Sequence, residues 1–258
     1  MEMKIEIKKK PGVSFYTMAD KICIIRQPAG LGDILFSQKI VSKIKEKYNL
    51  EILWPISDHY SSLKEDIVSS AKFCSINDDF PFKSLFHNRN IIDNNEVLYI
   101  PLQDADQYYP GLCMMDSKYK FVGLNYNDWQ MYINLKRNYD KENKLKEILK
   151  IKKDEKYVVL NRNYGSLSAP ATCSYLKQFS SKHKIIEVNP IEGFSLFNWC
   201  TIFENALEIH SVDTSIMYII EKLNVAAKLF CYSRYIPPSF HDVTHLFKKN
   251  WTYVKDCI

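Results

Sequence analysis

An α/β fold in two successive parallel-sheet units is predicted for this chain, and three observations carry the prediction. A short apolar run, Ile22 to Ile25, breaks into a glycine turn (Pro28-Ala29-Gly30-Leu31-Gly32) and then into an amphipathic helical pattern from Asp33. Apolar runs and helical stripes alternate from there to about residue 100, the order that places parallel strands in one sheet with helices on its faces. After a charged stretch at 140–156 the alternation starts again at Tyr157, and it includes a second strand–turn–helix at Val212-Asp213-Thr214-Ser215.

The elements follow in order. Residues 3–8 alternate Met3, Ile5, Ile7 with Lys4, Glu6, Lys8 and predict an edge strand ending at Pro11-Gly12. A strand at 22–26 precedes a helix over about 33–48, whose stripe is Ile34, Leu35, Ile40, Val41 and Ile44. Leu50 to Trp54 predicts a strand stopped by Pro55, followed by a helix around 59–70 and a strand at 72–76. Residues 77–95 are polar and irregular. Val97 to Ile100 predicts a strand closed by Pro101. Residues 111–140, rich in Tyr, Met and Trp, are expected to be helical beside the cleft, and 140–156 to form a solvated helix and linker.

In the second unit, strands are expected at 157–160, 184–188, 206–212 and 225–232. Helices are expected at 171–181, 197–205 and 214–223, and the tail 239–258 is expected to be a helix with a short extension. The domains expected are 1–145, 146–235 and a C-terminal helix at 236–258 that packs back on the first unit. The whole reads as two Rossmann-like halves facing across a cleft.

Composition narrows the function classes. At 258 residues the chain can bury a full core. With 46% hydrophobic and 25% charged residues it is an ordinary globular sequence. The net charge of +5 is mild and its lysines are dispersed, so no nucleic-acid surface is expected. That charge suits anionic substrates or peripheral contact with membrane headgroups. Seven cysteines, an odd number without a CxxC pair, predict reduced thiols in a cytoplasmic protein. The N-terminal decapeptide lacks a signal-peptide core, and no apolar run approaches a membrane span.

Two segments carry chemistry. The turn before Asp33 brings backbone N–H groups and a helix N-terminus into a cleft, a setting suited to anions. Its spacing is neither GxGxxG nor a phosphate-binding loop ending in Gly-Lys-Ser/Thr. A carboxylate after Gly32 would repel a phosphate, so Asp33 reads either as a helix N-cap or as a general base. At Asp213-Thr214-Ser215, three capping-type residues at a helix start form either a plain cap or a site that holds a pyrophosphate without metal.

Gly30-Leu31-Gly32-Asp33, placed between a strand and a helix, resembles the N-terminal motif of the ADP-heptose:lipopolysaccharide heptosyltransferases and related GT-B glycosyltransferases. The segment 194–223, a helix, then a strand ending in Asp-Thr-Ser, then a helix, is similar to that family's C-terminal segment. The resemblance implies a compact GT-B-like enzyme that holds acceptor mainly on the first domain and nucleotide-sugar donor mainly on the second. It implies Asp33 as the base for inverting attack on the anomeric carbon. Thr214 and Ser215 would bind donor phosphates, and Asp213 would cap the helix and orient the loop. Ser215 and Tyr218 stand where the family often has Gly and His. Arg162 is the candidate for the positive charge that a lysine usually supplies after the first strand of the second domain.

Other residues have two readings each. Arg26, beside the glycine turn, contacts phosphate or acceptor, or pairs with a carboxylate. Arg162 binds phosphate or is a surface charge. Glu192, in the turn after a second-unit strand, binds a ribose hydroxyl or only shapes the turn. Asp128, Trp129 and Tyr132 form an acceptor pocket or, more in keeping with their composition, a buried aromatic cluster. His241 and His245 are a weak zinc signal, and no metal is expected. His210 reads as a satisfied core or cleft residue. Ser166 and Ser168 lack a His/Asp context. Arg234 and Tyr235, before Pro237-Pro238, are expected to carry the chain back to the first domain.

The function predicted is a metal-independent glycosyltransferase with a nucleotide-diphosphate sugar as donor, a glycan or glycolipid hydroxyl as acceptor and no cofactor. The alternatives are a non-catalytic nucleotide-sugar or glycan-binding protein, and an epimerase or hydrolase acting on a nucleotide-sugar.

Overall fold

The computed structural model describes residues 21–163, 176, 178–233 and 242–254. The predicted strand at 3–8, most of the helix at 171–181, Ser166, Ser168, Arg234, Tyr235, His241, Cys173 and Cys257 lie outside the described residues. Of the five described cysteines, Cys23, Cys200 and Cys231 are buried.

The first unit begins at β1 (Ile22–Ile25), an apolar run with Cys23, Ile24 and Ile25 fully buried. It continues through α1 (Leu31–Phe36), α2 (Gln38–Tyr48), β2 (Glu51–Ile56), α3 (Leu63–Asp66), β3 (Ile67–Val68), β4 (Lys72–Ser75), β5 (Ile92–Asp93) and β6 (Val97–Ile100). Its sheet has the order β4-β2-β1-β6-β5, parallel except for β5. β1 therefore lies between β2 and β6, and the strand order reverses beside it. That reversal opens a crevice at the carboxyl ends of β1 and β6.

Several elements differ from the sequence expectation. Pro55 lies within β2 rather than ending it. Pairing of β2 with β1 stops at Leu53, while pairing with β4 continues to Ile56, so Pro55 sits where one side of the strand is open. The expected single helix at 33–48 starts two residues earlier and divides at Ser37. The expected helix at 59–70 is a 3-10 turn at Asp58–Tyr60, the short α3, and β3 paired antiparallel with β7 (Asn134–Leu135). The aromatic stretch yields α4 (Met114–Phe121) and a 3-10 turn at Trp129–Tyr132.

The charged stretch forms α5 (Tyr139–Ile148), with the Asn138 side chain accepting from Lys141 N at its start. It is not solvated all round, because Glu142 and Leu145 are fully buried against the second unit. That unit comprises β8 (Tyr157–Asn161), β9 (Lys184–Glu187), α6 (Cys200–Glu204), β10 (Glu208–Val212), α7 (Ser215–Lys222), β11 (Lys228–Tyr232) and β12 (Trp251–Val254). Its sheet is parallel, in the order β12-β11-β10-β8-β9, so this sheet also reverses, between β8 and β10.

The tail corrects the expected final helix. After a 3-10 turn at Thr244–Leu246, Trp251–Val254 adds a parallel edge strand to β11. Glu221, on α7, fixes this course: its carboxylate accepts from the backbone N–H of Lys248 and Lys249 and from Trp251 Nε1 at 2.8–3.3 Å. One apolar cluster runs through both units, joining Ile25, Phe36 and Trp54 to Trp129, Tyr218, Ile219 and Phe247.

Candidate functional site

The glycine turn after β1 delivers Asp33 to the first crevice. Gly30 occupies the N-cap position of α1 at φ 83°, a backbone state that favours glycine. Asp33 is therefore the third helical residue and not the N-cap, and its side chain folds back over Gly30. A Cβ at Gly30 would collide with Asp33 Oδ2. Asp33 Oδ1 lies 3.2 Å from Nζ of Lys118, a lysine only 2% exposed. Lys118 also donates to Gln27 Oε1 (2.6 Å) and to the Leu102 carbonyl (3.2 Å). The cation is thereby fixed by the two loops that leave β1 and β6, and it fixes the carboxylate in turn. Gly30 N donates to Tyr60 Oη at 3.2 Å.

Gly32 is a helical residue rather than a loop residue. A Cβ there would lie 2.9 Å from Cε2 of Tyr218 on α7. Tyr218 cannot swing away, because Phe36, Trp129 and Phe247 surround its ring at centroid distances of 5.0–6.2 Å. Gly32→Ala gains about 1 kcal/mol in helix propensity. The overpacking it forces costs ~1–3 kcal/mol. The expected net result is a loss of stability of up to ~2 kcal/mol, read by denaturant melts of the two proteins.

The second crevice holds Asp213, Thr214 and Ser215. Thr214, and not Asp213, takes the N-cap position of α7, and no side chain caps the helix. The Thr214 hydroxyl accepts instead from Nδ2 of Asn161 at 3.0 Å, and the same amide donates to Ser211 Oγ. Asn161 ends β8 and Thr214 follows β10, so the bond spans the point where the strand order reverses. Asp213 is buried, and Ser233 Oγ donates to its Oδ2 at 3.3 Å. Thr214 and Ser215 are half-buried at the start of a helix whose first N–H groups point along its positive end.

The remaining candidates are placed as follows. Arg26 forms an ion pair with Asp104 and lies over the Phe86 ring, so the carboxylate reading describes it. Arg162 Nη2 donates to Glu187 Oε1 at 2.5 Å and Nη1 to the Leu176 carbonyl at 2.9 Å, which turns its guanidinium toward β9. Glu192 is exposed. Trp129 is fully buried in the aromatic cluster and donates to the Leu246 carbonyl, while Asp128 pairs with Lys39 and Tyr132 lies beside Lys39 and Lys43.

His210 is buried, stacked on Phe230 and 2.9 Å from Tyr232 Oη. Burial lowers its pKa from 6.5, with Glu208 opposing. Below about pH 6.5 the unfolded chain therefore binds a proton that the folded chain refuses, and stability falls until the folded-state pKa is reached. His210→Phe is expected to flatten the dependence of Tm on pH in that acidic window and to leave it unchanged above pH ~7.

Sequence reasoning missed three groups. Lys118 and Asn161 are two. The third is Asp66, 9% exposed, which borders a cavity of about 570 Å³. That cavity is lined from the first unit by Leu31, Tyr60 and Asp66 and from the second by Asn189, Gly193 and Ser195. Burial raises the Asp66 pKa, and its Oδ2 is buried without a hydrogen-bond partner among the described residues. Perturbed carboxylates of this kind concentrate at functional clefts. Glu192 does not line the cavity, although its neighbours Ile191 and Gly193 do.

No helix among the described residues is long and apolar enough to cross a membrane. No family model matches the sequence, and no curated protein is significantly similar to it. Solved structures are similar in fold. The glycosyl transferase family 9 structure from Veillonella parvula superposes with a TM-score of 0.53 at 8% identity, covering 92% of this chain and 86% of that one. The ADP-heptose lps heptosyltransferase II of E. coli gives 0.46 at 12% identity over 91% and 90% of the two chains. The E. coli heptosyltransferase WaaC, solved with ADP-2-deoxy-2-fluoro heptose, gives 0.41 at 10% over 90% and 92%. At such identities the likeness is one of architecture: this chain has a mixed α/β fold with parallel sheets, which fits a GT-B-like glycosyltransferase fold.

Proposed function

We propose that the chain is an inverting glycosyltransferase that moves a sugar from a nucleotide-diphosphate donor to a hydroxyl of a glycan or glycolipid. The observation that carries this is the pairing of two crevices, each at a strand-order reversal. The helix that carries Asp33 packs on the helix that Thr214 begins, with Gly32 against the Tyr218 ring. Fold alone does not fix chemistry; the groups at these two points are what support this reading.

Asp33 is the base. As the acceptor oxygen bonds to the anomeric carbon, its proton passes to the Asp33 carboxylate and the bond to the donor phosphate breaks on the opposite face. The nucleoside diphosphate leaves with the electron pair. The first N–H groups of α7 and the Thr214 hydroxyl receive the developing phosphate charge, which a helix N-terminus stabilises without a metal. Lys118 holds the base in place, and Asn161 holds Thr214.

The test is release of nucleoside diphosphate from a panel of nucleotide-sugars, with and without glycan and glycolipid acceptors. Acceptor-dependent release is expected. Release that needs no acceptor would replace transfer by hydrolysis, and binding without release would leave a non-catalytic nucleotide-sugar binder.

A further inference from the structure

Apart from both crevices, three metal-ligating side chains converge where the tail crosses α4. Cys113 occupies the N-cap position of α4, Asp116 lies in its first turn, and His245 comes from the 3-10 turn at Thr244–Leu246. One donor atom from each lies within 4.8 Å of the other two. His245 Nε2 is 2.9 Å from Asp116 Oδ1 and 3.0 Å from Oδ2. The Tyr126 ring stands edge-on to the imidazole at 6.0 Å. Cys113 and Asp116 are half-buried and His245 is exposed, so an ion can enter from solvent. The segments are 129 residues apart in the chain, which is not the spacing of a local turn.

We propose that Cys113, Asp116 and His245 bind one divalent transition-metal ion of the zinc class. A thiolate, an imidazole and a carboxylate are the ligand types zinc takes, with three protein ligands leaving a fourth position for water. Magnesium and calcium prefer all-oxygen shells and fit this set poorly. The bound ion forms metal–sulfur, metal–nitrogen and metal–oxygen bonds, and the Cys113 thiol releases its proton to solvent. The ion would pin the tail to the helix that carries Lys118, and so brace the anchor of Asp33 from outside the crevice.

The test is a cobalt(II) titration of tag-free, chelator-stripped full-length protein. One equivalent is expected to give a thiolate-to-cobalt charge-transfer band and the strong visible bands of tetrahedral cobalt, both bleached by zinc. Cys113→Ser should lose the charge-transfer band. Asp116→Asn and His245→Gln should weaken binding by more than the ~10-fold that an outer-shell change costs. Cys74→Ser and His59→Gln, which lie outside the cluster, should leave the spectrum unchanged. Zinc should also raise Tm of the stripped wild type and not of Cys113→Ser, whose fold is checked by circular dichroism. No thiolate band in the wild type, or an undiminished band in Cys113→Ser, overturns the proposal.

Discussion

Asp33→Asn is expected to lower sugar transfer by ~10²–10⁴-fold, the usual contribution of a positioned general base. The substitution changes one oxygen to an amide nitrogen at nearly constant volume. The amide oxygen keeps a partner in Lys118 Nζ, now 3.2 Å from the carboxylate, and α1 keeps its course through Gly32 against Tyr218. What is lost is the capacity to take the acceptor proton. Nucleotide binding is expected to persist, because the proposed phosphate site is built from Thr214 and Ser215 at the start of α7 and not from the Asp33 carboxylate. The measurement is acceptor-dependent nucleoside diphosphate release beside a thermal shift with the same nucleotide. An Asp33→Asn protein that transfers at the wild-type rate removes Asp33 from the mechanism.

Arg137→Ala is expected to cost ~3–5 kcal/mol of stability, the range for stripping one partner from a buried ion pair. The Arg137 guanidinium donates to both oxygens of Glu142 at 2.6 Å and to both oxygens of Glu204 at 3.0 and 2.9 Å. Glu142 is fully buried and also accepts from Thr201 N at 2.9 Å. Truncating the arginine leaves that carboxylate inside the protein with backbone and hydroxyl donors but no cation. A loss of this size corresponds to a fall in Tm on the order of 10 °C in a chain of this length. The network joins the residues before and within α5 to α6, so the same change loosens the junction between the two units. Arg137→Lys is expected to fall between the two, since an ammonium cannot engage two carboxylates as a planar fork does. A double change, Arg137→Met with Glu142→Leu, should recover much of the loss, because no unpaired buried charge remains. If Arg137→Ala melts at the wild-type temperature, the pair is not buried as described.

Local apolar runs made most of the strands legible. β1, β6 and β8 are fully or nearly buried on both faces and read as near-continuous apolar runs of mostly Ile, Val and Leu. What the sequence could not show was their order in the sheets. The two reversals that create the crevices depend on pairings between residues far apart in the chain, such as Ile25 with Ile100 and Ser211 with Asn161. Asp33 and Thr214 stood out because turn residues follow apolar runs. Lys118 and Asn161 did not, because a lysine in a helix and an asparagine at a strand end look like ordinary surface residues until their partners are known.

Tyr218 carried a misleading signal. It departs from the residue expected at that position of the motif, and the reason is packing, since its ring fills the space that Gly32 leaves empty. The tail, expected as a helix with a short extension, forms a 3-10 turn and an edge strand instead. The better evidence was Trp251-Thr252-Tyr253-Val254, a β-prone tetrapeptide set off by polar residues 248–250.

The most direct measurement is a thermal-shift panel of UDP, GDP, ADP, CMP and dTDP, with and without magnesium, on the wild type and on Thr214→Ala. A nucleotide present at about 100 times its Kd stabilises the folded chain by ~2.7 kcal/mol. Such a shift is expected for one nucleoside diphosphate, independent of magnesium and much reduced in Thr214→Ala. No shift with any of the five, or a shift that Thr214→Ala leaves intact, would contradict it.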